Sequence, residues 1–523
     1  MKKKILYLSL TLLQSQTIQA AVCDELLLNP LYLTGKTFFH PRSQNTNTVR
    51  RAVGQHDFRH RFECDSYNGT FSIIPQYSQS FKPYHIAEYF FGTDTLLFSG
   101  SQVTFRGPHN ILADYFGLST EFESALRIKP QIDTFLLDFD LFFGLDQLRE
   151  GLFFQAYTPL VRTNWKLCLA EAIEATGVCT NFPARYMDEP QVTPAVASAT
   201  RALQGGITWG DVTEGIQCGK FCCEQKETKL ADVTLALGYV FLNRENGYVG
   251  TKVFTTIPTG TRASGKYFFE PVIGNGHHWE LGVGFMGRGL IWEKDGEQEV
   301  WFHFDADFTH LFKSCQCRSF DFCRNCWGSR YILLKEFDNT GAYTGHLVPA
   351  INVTTLKCKV SIDFQADVNL MFAYLNKNWE FDFGYNAWVR SHEKICLVDS
   401  IERNRYGLKG IQNVDGLNAP STESCATIYG NYLALQDQVA DKNPVFISTE
   451  DLDICSASSP LSITHKLYAH VDYAWEDCDR RITPYVGGGG SVEFESIKPR
   501  CSLPYRNTLQ QWALWLKTGF AFR

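Results

Sequence analysis

The hairpin that decides the fold is residues 355–390, TLKCKVSIDFQADVNLMFAYLNKNWEFDFGYNAWVR. Apolar residues recur at every second position, from Leu356 to Tyr374 on one limb and from Trp379 to Val389 on the other. A period of two predicts β-strands, and Asn376-Lys377-Asn378 has the composition of a turn. Membrane-spanning strands need about 9–11 residues and often continue beyond the bilayer, which fits these long limbs. A half-buried strand of a soluble sheet alternates too, so the rest of the chain must discriminate.

The N-terminus has the features of a secretory signal peptide. Lys2, Lys3 and Lys4 precede a short apolar run, Ile5–Leu13, and the small residue Ala21 lies near a plausible cleavage point. No later stretch has the roughly 18 apolar residues of a membrane helix. Residues 1–21 are therefore interpreted as a signal peptide. If the exported chain enters a membrane, it must do so as a closed barrel.

Composition narrows the class of protein. The formal net charge of −7 argues against a nucleic-acid partner. The aromatic content of 14% suits a barrel with interfacial aromatic girdles. The 17 cysteines of an exported chain, most of them in the predicted long loops, predict disulfides.

Steady alternation from residue 120 onward predicts an all-β, up-and-down antiparallel transmembrane barrel of twelve strands, residues 120–523. From Asp133 onward, short and long connections alternate strictly, as short periplasmic turns and long extracellular loops do in outer-membrane barrels. Both ends of the barrel then lie on the periplasmic side. The predicted strands are Thr120–Lys129, Asp133–Phe143, Leu152–Arg162, Leu230–Asn243, Tyr248–Ile257, His278–Trp292, Gln298–Phe312, Thr355–Asn376, Trp379–Arg390, Ile463–Glu476, Thr483–Ser496 and Leu509–Arg523.

Residues 22–119 alternate poorly, because Pro75 interrupts the pattern of Thr70–Phe81. We interpret this stretch as a periplasmic, plug-like region. The alternative is that Phe71–Phe81 and Leu96–Phe105 are two further barrel strands, which would give fourteen.

The last strand carries a second signal. Trp512, Leu514, Leu516, Thr518, Phe520 and Phe522 alternate up to the penultimate residue. This pattern resembles the C-terminal signature that the barrel-assembly machinery recognises in bacterial outer-membrane proteins. Arg523 departs from it by extending one residue beyond the terminal Phe.

Five segments carry a family resemblance. They are IAEYFFGTD (Ile86–Asp94), LLFSGS (Leu96–Ser101), LADYFGL (Leu112–Leu118), TPLVRTNW (Thr158–Trp165) and GNGHHWELGVGF (Gly274–Phe285). In these segments the chain resembles a paralogous family of large outer-membrane barrels from small-genome, host-dependent bacteria. The resemblance implies the fold and a location in the bacterial outer membrane, and it implies no chemistry.

Carboxylates dominate the predicted polar face of the wall. A water-filled lumen with this excess favours cations, whereas a small barrel whose acids and bases pair would be filled instead. The residues predicted to line the pore are Asp305, Asp307, Asp363, Asp367, Glu380, Asp382, His470 and Asp472.

Motifs of enzymes and metal sites are weak. Cys315-x-Cys317-x5-Cys323-x2-Cys326 has zinc-like spacing, but disulfides are the better interpretation in an exported loop. His470 with Asp472, and His303 with Asp305, have the spacing of a general-base pair, yet every polar lumen contains such pairs. GxSxG, P-loop and HExxH motifs are absent. No catalytic residue, cofactor or metal is predicted.

The sequence therefore predicts porin-like passage of small solutes, leaning towards cations, across the outer membrane. The first alternative is a non-conducting surface barrel whose stapled loops contact the host or the envelope, and the second is a barrel hydrolase. The expected partners are outer-membrane lipid, the barrel-assembly machinery and small solutes.

Overall fold

The computed structural model describes residues 35–55, 58–60, 67–107, 109–178, 180–182, 187, 192–323, 325, 327–409, 428, 445–475, 481–495 and 509–523. Its centre is a closed antiparallel barrel in which each strand pairs with its neighbours in the chain and the last pairs with the first. The predicted twelve-stranded up-and-down barrel is confirmed. Its strands are β1 Gly69–Ser80, β2 Gln131–Gly144, β3 Leu152–Lys166, β4 Val233–Arg244, β5 Gly247–Ile257, β6 Glu280–Lys294, β7 Gln298–Ser319, β8 Thr355–Asn376, β9 Trp379–Arg390, β10 Ser462–Ala474, β11 Ile482–Glu495 and β12 Gln511–Phe522.

One member of the predicted strand set was wrong. Glu123–Arg127, inside the predicted strand Thr120–Lys129, belongs to a separate four-stranded sheet, and so does the start of the candidate Leu96–Phe105. The wall contains β1 in its place, so the N-terminal region supplies one barrel strand and not two. Pairing of β1 with β12 skips Ile74 and Pro75, a position that tolerates the missing N–H of proline.

The two ends of the barrel differ in their connections. The short-turn end carries the connections β2–β3, β4–β5, β6–β7, β8–β9 and β10–β11. The opposite end is the long-loop end. At the long-loop end the loops pack on one another around a hydrophobic core that includes Phe98, Phe116, Trp165 and Leu334. We call this layer the cap.

The remaining regular elements are short. The described strands outside the wall are Thr95–Ser99, Ile111–Leu112, Glu123–Arg127, Ala170–Ala175, Glu224–Leu230, Asp321–Phe322, Leu333–Phe337, Tyr343–Pro349, Glu393–Leu397, Tyr406–Leu408 and Leu452–Asp453. The described α-helices are α1 Thr48–Ala52, α2 Pro83–Phe91, α3 Ala199–Leu203 and α4 Ala350–Thr354.

Among the described residues, none of the helices combines the length and the apolar character needed to cross a bilayer.

The outward face of the wall is an apolar belt. Phe383 and Leu514 are each 60% exposed. The residues that alternate with such apolar positions along each strand point inward and are mostly polar. An exposed apolar surface that encircles a protein requires a covering of similar polarity. The belt includes Tyr77, Phe135, Leu160, Leu237, Phe241, Val253, Val283, Phe285, Phe364, Phe372, Phe383, Leu467, Val486, Leu514 and Leu516.

Candidate functional site in the barrel lumen

A segment of the N-terminal region passes through the lumen from one end to the other. Phe39 packs against Tyr89 and Trp165 of the cap, with ring centroids 5.3 and 6.1 Å apart. Phe58 stacks on Tyr485, near the short-turn end, at 5.5 Å. Residues 40–55 and 58–60 run from the first contact to just past the second, and we call them the lumen segment.

Four arginines of the lumen segment form ion pairs with wall carboxylates. Their side chains are only 2–8% exposed, and the carboxylates belong to β2, β7, β8 and β11, on different sides of the lumen. The pairs are Arg42–Asp367 (2.8 Å), Arg42–Glu493 (3.2 Å), Arg50–Asp138 (2.7 Å), Arg51–Asp307 (2.8 Å) and Arg59–Asp140.

Backbone groups of the segment bind the wall as well. The amide of Thr48, at the start of α1, donates to Asp367 at 3.0 Å, and the amide of Gly54 donates to Asp382 at 2.7 Å. Gly54 has φ +58°, and a Cβ there would lie 2.9 Å from Nε2 of His470. Only glycine satisfies both the left-handed backbone and this close approach without strain. The segment is therefore fitted to the wall and does not lie loosely within it.

A buried clamp fixes the segment at the long-loop end. Nδ1 of His40 lies 2.7 Å from Oε1 of Glu393, whose other oxygen accepts from Arg318 at 3.1 Å and from the amide of Ser459 at 2.9 Å. Arg390 donates to the backbone oxygen of His40 at 2.7 Å. Burial, followed by the charge of Arg390, lowers the pKa of His40 to about 3. The neutral ring therefore donates a hydrogen bond from Nδ1–H to Glu393.

Seven of the eight residues predicted to line the pore face the lumen. Asp307 is held by both Arg51 and Lys252, whereas the side chain of Asp305 remains 22% exposed. His470 and Asp472 lie against Gly54, with Nε2 and Oδ2 3.9 Å apart and both side chains fully buried. The inward-facing residues are Asp305, Asp307, Asp367, Glu380, Asp382, His470 and Asp472.

Asp363 is the exception, and its predicted orientation was wrong. Between the pairs Thr309–Gln365 and Leu311–Ile362, β8 contains one residue more than β7. This bulge reverses the alternation, so that Asp363 lies outside the wall with its side chain 51% exposed, paired with Lys394. Nothing in the local sequence marks the extra residue.

Cavities beside the segment are small. Three of them have volumes of about 50, 40 and 20 Å³, lined by residues of both the segment and the wall. Since one water molecule needs about 10–15 Å³ on this measure, each holds only a few waters. The described part of the lumen is thus largely filled by protein.

The disulfide prediction finds no support in the described thiols. Seven of the seventeen cysteines, together with the predicted signal peptide, lie outside the described residues. Eight of the others are not joined to one another, namely Cys168, Cys218, Cys222, Cys223, Cys315, Cys317, Cys358 and Cys396. Within the described ranges no three His, Cys, Asp or Glu side chains are placed to bind a metal ion.

Sequence reasoning missed the four arginines of the lumen segment. They lie in the polar stretch HPRSQNTNTVRRAVGQHDFR (residues 40–59), which shows neither helical nor strand periodicity. A cluster of basic residues in a chain whose wall is rich in inward carboxylates is the one available signal, and it indicates complementarity without giving a position.

No protein-family model and no curated protein matches the chain. Among solved structures, an outer-membrane channel from Pseudomonas putida F1 is 10% identical, with 87% of this chain and 96% of that chain covered and a TM-score of 0.33. The NanC porin is 7% identical, with 87% and 99% covered and a TM-score of 0.25. A mutant of the monoaromatic hydrocarbon channel TodX is 8% identical, with 87% and 90% covered and a TM-score of 0.29. The closed barrel itself rests on the strand pairing described above.

Proposed function

We propose that this protein is an outer-membrane β-barrel channel whose lumen is kept closed by its own N-terminal segment. The observation that carries the proposal is the set of buried ion pairs between the lumen segment and the wall, such as Arg50–Asp138 and Arg51–Asp307. The apolar belt supports the membrane location, because lipid is the covering that such a surface requires. The cap then faces the cell exterior and the short-turn end faces the periplasm.

The polar wall supports a channel over a purely structural barrel. Inward positions of β8 and β9 carry Asp367, Asn369, Glu380, Asp382 and Asn386, all buried. A barrel that served only as an anchor can fill its interior with apolar side chains, whereas these polar groups become solvated when water replaces the segment. The solutes that would pass are small and polar.

Cation preference stays a prediction and applies to the open state alone. While the segment is in place, its arginines form ion pairs with five of the wall carboxylates, namely Asp138, Asp140, Asp307, Asp367 and Glu493. Once it leaves, inward carboxylates still outnumber the inward cations of the wall, which include Lys252, Arg390, Lys466 and Lys517, and the field favours cations.

The cap favours a second function, that of a non-conducting surface barrel. Its loops share a large buried core, including Phe98, Phe116 and Leu334, and thus form a folded layer and not a set of independent loops. Such a layer presents a fixed surface to a host or envelope partner. Assembly through the C-terminal strand is proposed for both functions, since Leu514, Leu516 and Phe520 face outward on β12.

Planar-bilayer conductance separates the two functions. We expect no steady conductance from the full chain, and a steady, cation-preferring conductance when Arg42, Arg50, Arg51 and Arg59 are all changed to Gln. A second variant that lacks residues 35–60 should conduct in the same way. The matched control changes four exposed arginines, Arg127, Arg162, Arg244 and Arg405, to Gln and should stay silent.

Heat modifiability on gels checks that each variant is a folded barrel. Folded variants that stay silent after loss of the segment would refute the channel and leave the surface barrel. A full chain that conducts steadily would refute closure by the segment.

A further inference from the structure

A group of lysines lies on the outer surface of the wall, just beyond the apolar belt at the long-loop end. Cys315 of β7 pairs with Lys359 of β8, which in turn pairs with Cys396 of the short strand Glu393–Leu397. The lysines of this surface are exposed, because the alternate positions of the same strands point into the cap. We call them the rim lysines, and they are Lys313, Lys357, Lys359 and Lys394.

The rim lysines carry an excess of positive charge. Lys394 pairs with Asp363. The nearby Asp399 accepts a hydrogen bond from the backbone amide of Lys357 at 3.1 Å and keeps its negative charge, so four lysines less the two carboxylates Asp363 and Asp399 leave a net charge of +2. Among the described residues, no carboxylate forms an ion pair with the ammonium groups of the other three lysines. Their charges are available to a ligand.

The belt continues directly below this surface. Trp279, Phe312 and Phe364 are 52, 45 and 44% exposed, and Phe364 follows Asp363 in the bulge of β8. Aromatic side chains at this height are typical of the boundary between lipid tails and headgroups. Long lysine side chains above such a boundary reach the headgroup layer with their ammonium groups.

We propose that the rim lysines bind the phosphate-bearing headgroups of the lipids that surround the barrel. The inference rests on the proposed membrane location and adds a partner for a surface that the channel does not use. An ammonium group binds phosphate as a point charge, and several lysines spaced along neighbouring strands bind a headgroup with more than one phosphate better than a single phosphate ion. Free inorganic phosphate is therefore a weak competitor.

The test measures binding of a doubly phosphorylated glycolipid, and of its dephosphorylated form, to the purified full chain in neutral detergent. Changing Lys313, Lys357 and Lys359 to Gln should weaken binding of the phosphorylated lipid by about tenfold or more. The dephosphorylated lipid should bind wild type and variant alike, and millimolar inorganic phosphate should not displace the phosphorylated one.

The matched control changes Lys166, Lys226 and Lys229 to Gln. These lysines lie on β3 and on the short strand Glu224–Leu230 that pairs with it, away from β7 and β8 around the barrel. Lys166 and Lys226 have carboxylate partners, Asp133 and Glu224, so their loss should leave binding unchanged. Equal binding by wild type and the rim variant, or an equal loss in the control, would overturn the inference. If fractionation finds the protein in the outer membrane in that case, the proposed location survives. Absence from the outer membrane would overturn both.

Discussion

We expect the Phe383→Arg protein to fail to assemble as a folded barrel. Phe383 is 60% exposed on the outward face of β9, within the apolar belt, and pairs across the sheet with Phe372 and Ala469. An arginine at mid-depth on the lipid face of a barrel costs about 2–4 kcal/mol, and the cost arises in the membrane alone. The fraction of protein that runs as the compact, unheated band on a gel measures assembly. That band should be lost or strongly reduced.

Leu97→Arg is the matched control. Leu97 is 46% exposed, but it belongs to the strand Thr95–Ser99 in the cap, which lies outside the belt. Its replacement should leave the compact band unchanged, because water already solvates the position. Equal behaviour of the two variants, in either direction, would contradict the assignment of the belt to lipid.

We expect the Arg50→Ala protein to unfold with a free energy lower by about 3–5 kcal/mol, because the change leaves a buried carboxylate without its partner. Nε of Arg50 donates to Asp138 at 2.7 Å, and the two side chains are 2% and 4% exposed. Denaturant unfolding of the refolded barrel, followed by the compact band, measures the difference. Asp138→Asn in the Arg50→Ala background should recover part of the loss, since it removes the unpaired charge.

Arg127→Ala provides the comparison for an exposed ion pair. Arg127 pairs with Asp94 at 3.3 Å, and its side chain is 56% exposed. Its loss should change the free energy of unfolding by less than about 1 kcal/mol. A loss of that small size for Arg50→Ala as well would contradict the placement of the lumen segment.

Much of the wall was predictable because alternation is a local property. In β9, Phe383 and Asp382 lie on opposite faces, as a period of two requires. The strand β1 was predicted only within the fourteen-stranded alternative, as Phe71–Phe81, because Pro75 broke its pattern, although the missing N–H lies where pairing is interrupted. Asp363 was misplaced because one extra residue in β8 reverses the faces, and a bulge of this kind depends on the partner strand.

The position of the lumen segment could not be predicted from the sequence for a different reason. Its contacts join residues far apart in the chain, 88 positions for Arg50 and Asp138 and 451 for Arg42 and Glu493. No local pattern encodes such pairs. The even number of strands also predicted that the barrel begins and ends on the short-turn side. The start of β1 and the end of β12 both lie there. The chain before β1 nevertheless runs back through the lumen to the cap, where Phe39 packs.

Amide hydrogen exchange on the full chain in lipid nanodiscs tests most directly whether the segment occupies the lumen. The amides of Thr48, Val53 and Gly54 are bonded to Asp367, the backbone oxygen of Val49, and Asp382. We predict that these three amides exchange as slowly as those of the wall strands. The amides of Thr48 and Gly54 lose their acceptors only when the segment leaves the wall, and the turn that joins Val53 to Val49 is buried in the lumen. Exchange at the rate of an unstructured peptide, with the wall strands still protected, would contradict closure of the lumen by the segment.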